Sequence, residues 1–530
     1  MRIYGLFILG AAAGWAQTPN ADDLVWRDAV HKFDSARAAL LSKVAAGAQN
    51  GPFRPNWDSL KNYQVPTWYE DAKFGIFLHW GVYSVPAFGN EWYPRNMYKR
   101  GTPEFAHQIA LFGPQTKFGY KDFIPMFKAG RFDARAWVDL FRKAGAKYVV
   151  PVAEHHDGFA MYDSDLSDWC AAKLGPHRDT TGELAMAARA AGLHFGVSSH
   201  RAEHYFFMNT GREIESDVRD PQYAAFYGPA HAGVTDQNGA DWRAHPDTAY
   251  IEDWLARTAE MIVKYKPEIL WFDWWIGTKE FEPYRQRLAA FYYNDAAMRH
   301  AAVAINYKND AFPPSAAVLD IERGQSDKIL PQFWQTDTSV SIKSWGYIDN
   351  DTFRSPESLV HQLVDIVSKN GALLLNVGPK SDGTIPEQAR DVLLGMGRWL
   401  AVNGEAIYGT RPWKISGEGP TKAVGGSFHD TAIKGYTSQD IRFTTRDGML
   451  YAIALGWPAD GKIRIKSLGR GAGVMQSEVG NVELLGSTKN VKWTRDNEEL
   501  EIELPAPTGE FAWAFRIIPV GPRQRGGPTD

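Results

Sequence analysis

The chain has 530 residues, too many for one compact core, and that length sets an expectation of roughly two to four domains. A formal net charge of −4 gives no electrostatic ground for expecting nucleic acid or an anionic membrane as a partner. Aromatic residues make up 13% of the chain, which suits either large cores or a surface that recognises the C–H faces of sugars.

The N-terminus reads Met1-Arg2-Ile3, then an apolar run from Tyr4 to Ala13, then Gly14-Trp15-Ala16. One positive charge, a short apolar stretch and small residues are the pattern of a secretory leader, with cleavage expected after Ala16 and a secreted or periplasmic product. The run is too short to span a bilayer, and no later stretch approaches the roughly 18 uninterrupted apolar residues a span requires. The competing reading is a buried N-terminal helix. Cys170 is the only cysteine, so neither an intramolecular disulfide nor a cysteine metal cage is available.

Residues 17–56 form an expected helical extension, Ala-rich from Ala29 to Ala46. Residues 57–410 alternate short β-type runs with amphipathic helices. Eight strands are predicted: Gly75–His79, Tyr148–Ala153, His194–Ser198, Ile269–Phe272, Ala302–Asn306, Ala317–Asp320, Phe333–Thr336 and Ala372–Asn376. Between two of them, Ile251, Trp254, Leu255, Thr258, Met261, Ile262 and Tyr265 recur at helical spacing. Ser355 is a natural N-cap with Pro356 well placed at the first position of another helix. The alternation predicts an α/β fold, a (β/α)8-like (TIM) barrel, with room for a missing helix or two because the strands near 317 and 333 are weak. Over 411–520 the period changes to two, as in Ile463/Ile465, Leu500/Ile502/Leu504 and Phe511/Trp513/Phe515, which predicts an antiparallel β-sandwich. The tail 521–530 is rich in Gly, Pro and Arg and is expected to be disordered.

In a barrel the polar residues at the C-terminal strand ends carry the chemistry. The loaded ends are His79-Trp80 followed by Glu91-Trp92-Tyr93, Glu154-His155-His156-Asp157, Trp271-Phe272-Asp273-Trp274-Trp275 and Asp320-Ile321-Glu322-Arg323. An Asp after a strand is more often a helix cap than a catalyst. Asp273 stands apart because aromatics bracket it, and a carboxylate so desolvated needs compensation or a function. His155 and His156 raise a metal reading, but neighbours on a strand point to opposite faces and no ligand spacing supports it, so no metal and no cofactor are expected. As sugar-hydroxyl partners, His79, His155 and His156 each offer a donor and an acceptor nitrogen. The alternative for each is a structural histidine satisfied inside the barrel. Gly469-Arg470-Gly471-Ala472-Gly473 falls in the β region with no helix after it and reads as a turn.

These motifs carry a resemblance. Lys73 to Pro86, Glu91-Trp92-Tyr93, His155-His156-Asp157-Gly158-Phe159, Trp271-Phe272-Asp273, Ser344-Trp345-Gly346-Tyr347, Asn376-Val377-Gly378-Pro379 and Asp382 to Pro386 together resemble the signature of glycoside hydrolase family 29, the α-L-fucosidases. The match runs in order over about residues 57–410. It implies a barrel with a C-terminal β-sandwich, retention of anomeric configuration and no metal. Carried over by position, it makes Asp273 the nucleophile and places Trp271 near the sugar. His79, His155, His156, Glu91 and Trp92 become residues that hold the hydroxyls and line the pocket, and Trp345 a contact to the apolar face. The acid/base region varies in the family. Asn306-Tyr307-Lys308 stands where relatives carry Asn-x-Arg, and Glu322 lies at the corresponding distance beyond it, which makes Glu322 the preferred acid/base ahead of Glu280 and Glu282. Lys308 is then a substrate contact with a point charge in place of a planar fork. Ser198-Ser199-His200-Arg201 replaces a segment where many relatives carry Tyr, which makes His200 a candidate contact.

The resemblance implies a two-step displacement on a fucosylated oligosaccharide or polysaccharide, with the two carboxyls about 5–5.5 Å apart. Within the class the rival is an α-L-galactosidase, since the two sugars differ by one hydroxyl. Outside it the rivals are a non-catalytic sugar-binding barrel and a metal-dependent barrel hydrolase.

Overall fold

A computed structural model describes residues 20–236, 239–431, 435–504 and 509–521. The expected leader, 1–16, and the tail from 522 onward lie outside the described residues.

Eight parallel strands close into a barrel: β1 Phe74–Leu78, β2 Tyr148–Glu154, β3 His194–Ser199, β4 Ile269–Phe272, β5 Ala304–Tyr307, β6 Val318–Glu322, β7 Trp334–Ser339 and β8 Gly371–Val377. They are hydrogen-bonded in sequential order, and β8 closes on β1 through pairs such as Phe74 with Leu373 and Leu78 with Val377. Each overlaps a predicted strand, the ends differing by a few residues. Inward-facing Phe77, Tyr148, Val150, Ile269, Trp271, Val318 and Leu374 fill the interior as one buried cluster. Gly75 has to be glycine, because a Cβ there would come within 2.2 Å of the Tyr148 ring. Polar side chains inside the barrel pair with one another: Tyr69 Oη lies 3.1 Å from Asn306 Oδ1, and Tyr148 Oη donates to Gln335 Oε1 at 2.9 Å, while Asn306 Nδ2 is buried without a partner.

Helices cover the outside. α1 (Ala21–Val30) and α2 (Asp34–Gly47) form the N-terminal extension. The crossovers use α3 (Ala134–Lys143), α4 (Thr180–Ala190), α6 (Thr248–Tyr265), α7 (Glu282–Met298) and α8 (Pro356–Ser368), and α9 (Glu387–Asn403) follows β8; a short α5 (Arg201–Phe207) starts directly after β3. Ser355 caps α8 by accepting from Ser358 N at 3.1 Å. Asp247 does the same for α6 through Tyr250 N at 2.9 Å. The connections from β5 to β6 and from β6 to β7 contain no helix, which is why those strands are faint in the sequence: no amphipathic segment frames them. α2 packs across α6 and α7, with Arg37 Nε bound to Asp253 at 3.0 Å. Among the described residues no helix is long and apolar enough to cross a membrane.

The C-terminal unit packs two antiparallel sheets around its own core of Ile441, Phe443, Ile463, Ile465, Leu500, Ile502 and Phe515. One sheet has five strands: β9 (Arg411–Glu418), β10 (Ile441–Arg446), β11 (Met449–Ala454), β13 (Glu478–Leu484) and β16 (Trp513–Val520). The other has β12 (Lys462–Ile465), β14 (Lys492–Arg495) and β15 (Leu500–Glu503). The C-terminal unit docks on α8 and α9 through buried polar bonds from its five-stranded side, Arg442 Nε to Asp365 Oδ1 at 2.6 Å and Trp399 Nε1 to the Ala512 carbonyl at 2.8 Å.

Candidate active site

A cavity of about 400 Å³ opens at the C-terminal ends of the barrel strands. Asp273 enters it directly after β4. Its Oδ2 lies 3.2 Å from His200 Nδ1 and 3.4 Å from His156 Nε2. A carboxylate cannot donate, so the His200 proton toward Asp273 sits on Nδ1. Burial and the charge of Lys308 push the His200 pKa down to about 3, so the ring is neutral and its Nε2 accepts from Ser198 Oγ at 3.1 Å. His156 also falls to about 3, chiefly through burial, and its Nδ1 lies 3.1 Å from Glu203 Oε2.

Glu322 ends β6, two strands round the barrel from β4. Strands β4 and β6 flank β5, so the two carboxyls rise from backbones two strand spacings apart, roughly 10 Å, and lean toward a shared space. Trp274 Nε1 donates to Glu322 Oε2 at 2.6 Å. Burial raises the Glu322 pKa above the usual carboxylate range; Lys308 opposes this and the Asp273 charge reinforces it. The site thus holds a carboxyl biased toward its acid form facing one that takes a hydrogen bond from the neutral His200 imidazole.

The remaining wall suits hydroxyl groups. His79 follows β1 and donates from Nδ1 to Asn376 Oδ1 at 2.8 Å, a partner that also takes the His79 backbone N–H at 3.0 Å. His155 Nδ1 and Glu203 Oε1 are buried without a hydrogen-bond partner, and buried polar atoms beside a cavity are the ones a polar ligand completes. Glu91 accepts from Trp345 N at 2.8 Å and Ser344 Oγ at 3.1 Å, and burial raises its pKa. Trp345 carries the Arg323 guanidinium on one face at 4.5 Å and lines the cavity together with Trp92 and Trp271. Among the described residues, His79, His155 and His200 bring ligand atoms within 4.8 Å of one another, as do His156, His200 and Asp273, and these donor sets could hold a cation.

The profile of the α-L-fucosidase family matches residues 40–405, and that of the α-L-fucosidase C-terminal domain matches 434–518. The chain belongs to the α-L-fucosidase family. It is 30% identical to the rat tissue α-L-fucosidase over 510 residues, covering 91% of this chain and 97% of the relative. It is 33% identical to the rat plasma α-L-fucosidase over 469 residues, covering 86% and 90%. The crystal structure of Thermotoga maritima α-fucosidase in complex with fucose superposes with a TM-score of 0.69 at 30% identity, covering 88% of this chain and all of that one.

For a member of this family, the residues named from sequence sort clearly. His79, Glu91, Trp92, His155, His156, His200, Trp271, Asp273, Glu322 and Trp345 all line the one cavity. Lys308 does not. Its ammonium is buried behind the wall, bound to Asp320 Oδ1 at 2.8 Å and Asp337 Oδ1 at 2.5 Å and lying 3.6 Å from Glu322, so it is a counter-ion to carboxylates rather than a sugar contact. Those three carboxylates hold its pKa up, and Asp337, buried beside Asp320, is pushed well above the usual range. The two weaker acid candidates fall outside the cavity: Glu282 accepts from Trp57 Nε1 at 2.8 Å, and Glu280 lies 3.4 Å from His245. His155 and His156 both reach the cavity because β2 ends at Glu154, and the alternation of a strand no longer applies beyond it. Sequence reading missed Glu203, which sits on α5, takes the Trp275 indole N–H at 2.7 Å and has its pKa raised well above normal by burial. It also missed Phe428 and Asp337 in the lining.

Proposed function

We propose that this protein is a retaining, exo-acting α-L-fucosidase in which Asp273 is the nucleophile and Glu322 the acid/base. One observation carries the reading: Asp273 and Glu322 face a common cavity, the first held by the neutral His200 imidazole and the second biased toward its protonated form. In the first step an Asp273 oxygen attacks the anomeric carbon, the bond to the leaving glycan oxygen breaks, and the Glu322 proton passes to that oxygen. In the second, Glu322 takes a proton from water, whose oxygen attacks the same carbon and displaces Asp273, releasing the sugar with its configuration retained. The fucose-bound Thermotoga relative supports a fucosyl group as the sugar held, with a fucosylated oligosaccharide or polysaccharide as substrate.

Asp273→Gly is expected to lower turnover of nitrophenyl α-L-fucoside by about 10⁴-fold or more, with partial rescue by azide; near-wild-type turnover removes the assignment. Glu322→Gln should slow substrates with poor leaving groups far more than aryl fucosides, and equal loss on both points to another acid. Nitrophenyl α-L-galactoside is the discriminating second sugar, expected to react roughly a hundredfold more slowly. The leader pattern at 1–16 supports export, with Gln17 expected as the first residue of the mature protein by N-terminal sequencing.

A further inference from the structure

The wall beside Glu322 is not built by the barrel alone. Residues 425–430, in the connection between β9 and β10, return to the chain just after β6. Gly426 N donates to the Gln325 carbonyl at 2.9 Å, and Gln325 N donates back at 3.3 Å. Phe428 N donates to the Glu322 carbonyl and Asp430 N to that of Arg323, each at 2.9 Å. The Asp430 carboxylate is pinned by Arg354 Nη1 at 3.3 Å and by Thr338 Oγ1.

This clamp holds Phe428 at a φ of 63°, a region that bulky residues adopt only under constraint. The residue stays 59% exposed and lines the cavity. It lies nearly parallel to Trp274, the planes 11° apart and the centroids separated by 6.4 Å. Trp274 in turn donates to Glu322. Two aromatic faces therefore stand outward of the carboxyl assigned to protonate the leaving oxygen.

We propose that Phe428 and Trp274 form the binding surface for the leaving-group sugar, so that the C-terminal domain supplies half of that subsite. The inference rests on the reading of Glu322 as the acid. An acid must come within hydrogen-bond reach of the oxygen it protonates, so the ring attached to that oxygen lies against whatever surrounds the acid on its outer side. Here those groups are uncharged aromatic rings, which fit the C–H face of a pyranose and give no ion pair to an anionic one.

The test compares two fucosides with leaving alcohols of similar basicity, a fucosyl-galactose disaccharide and trifluoroethyl α-L-fucoside. Both need the acid, but the second has no ring to stack. Phe428→Ala should lower kcat/KM for the disaccharide roughly ten-fold relative to the trifluoroethyl fucoside, the scale of one lost ring contact, with an unshifted pH profile. Phe428→Trp should keep the wild-type ratio. A parallel fall on both substrates, a shifted alkaline limb, or no change on either overturns the proposal. Failure of the wild-type enzyme to cleave either fucoside would instead remove the underlying fucosidase reading, and this inference with it.

Discussion

Trp274 donates its indole N–H to Glu322 across 2.6 Å, so the residue that follows Asp273 in the chain fixes the carboxyl two strands away. The two carboxyls are therefore coupled through one aromatic side chain as well as through charge. Trp275, next along, does the same for Glu203 at 2.7 Å and sits at a φ of 78°. The Trp-Trp pair after β4 is thus a positioning device whose strained backbone aims two indoles at two acids.

Replacing Trp274 with Phe keeps the ring and removes the donor. That hydrogen bond favours the charged form of Glu322, so its loss lets the pKa rise further. Glu322 must be protonated for the first step, and the alkaline limb of kcat/KM should move upward in pH. An unmoved or lowered limb in a pH–rate profile refutes the coupling.

Lys308→Met should destabilise the fold. It strands Asp320, Asp337 and Glu322 without their buried cation, and breaking a buried pair from one side costs about 3–5 kcal/mol. Chemical denaturation of wild type and variant measures it, and Lys308→Arg should recover part of the loss. If the variant instead raised KM for fucosides with unchanged stability, Lys308 would be a sugar contact after all.

Much of this was legible in the sequence, for a reason that particular residues make plain. Phe77-Leu78-His79 and Trp271-Phe272-Asp273 are apolar strands ending in polar groups, a pattern set by local burial. The buried ion pairs of Lys308 could not be read in advance because its partners Asp320 and Asp337 lie on different strands, and only closure of the barrel brings them together. Phe428 was invisible for the same reason: it comes from the connection between two sandwich strands, and its meaning arises from pairing with residues 322–325. Glu203 carries no motif; burial makes it notable, and burial is a property of the whole fold.

Gly426→Val tests the clamp itself. Gly426 has a φ of 101°, where any side chain is strained by about 1–3 kcal/mol, while its carbonyl and N–H pair with Gln325. Loosening the arm should speed tryptic cleavage after the exposed Lys422 and raise KM for the fucosyl-galactose disaccharide. Wild-type proteolysis rates would show that the arm is held by other contacts.

His204 gives a pH prediction with a definite sign. Its ring is buried, donates from Nδ1 to the His156 carbonyl at 2.8 Å, and has its pKa lowered from 6.5 to about 3, first by burial and then by the Arg201 charge. In the unfolded chain the same group takes up a proton near pH 6.5, so between pH 6.5 and 3 the unfolded state binds the extra proton and the native state loses stability as pH falls. At pH 5 the cost relative to pH 7.5 is about 2 kcal/mol for this one group. His204→Gln retains a donor for the carbonyl but does not titrate. Measured by urea unfolding, the stability gap between wild type and variant should therefore shift in favour of the variant by about that amount from pH 7.5 to pH 5. A gap independent of pH would mean that His204 titrates in the native protein as it does in the unfolded chain, and a shift toward the wild type would mean that it is charged in the native state; either outcome overturns the lowered value.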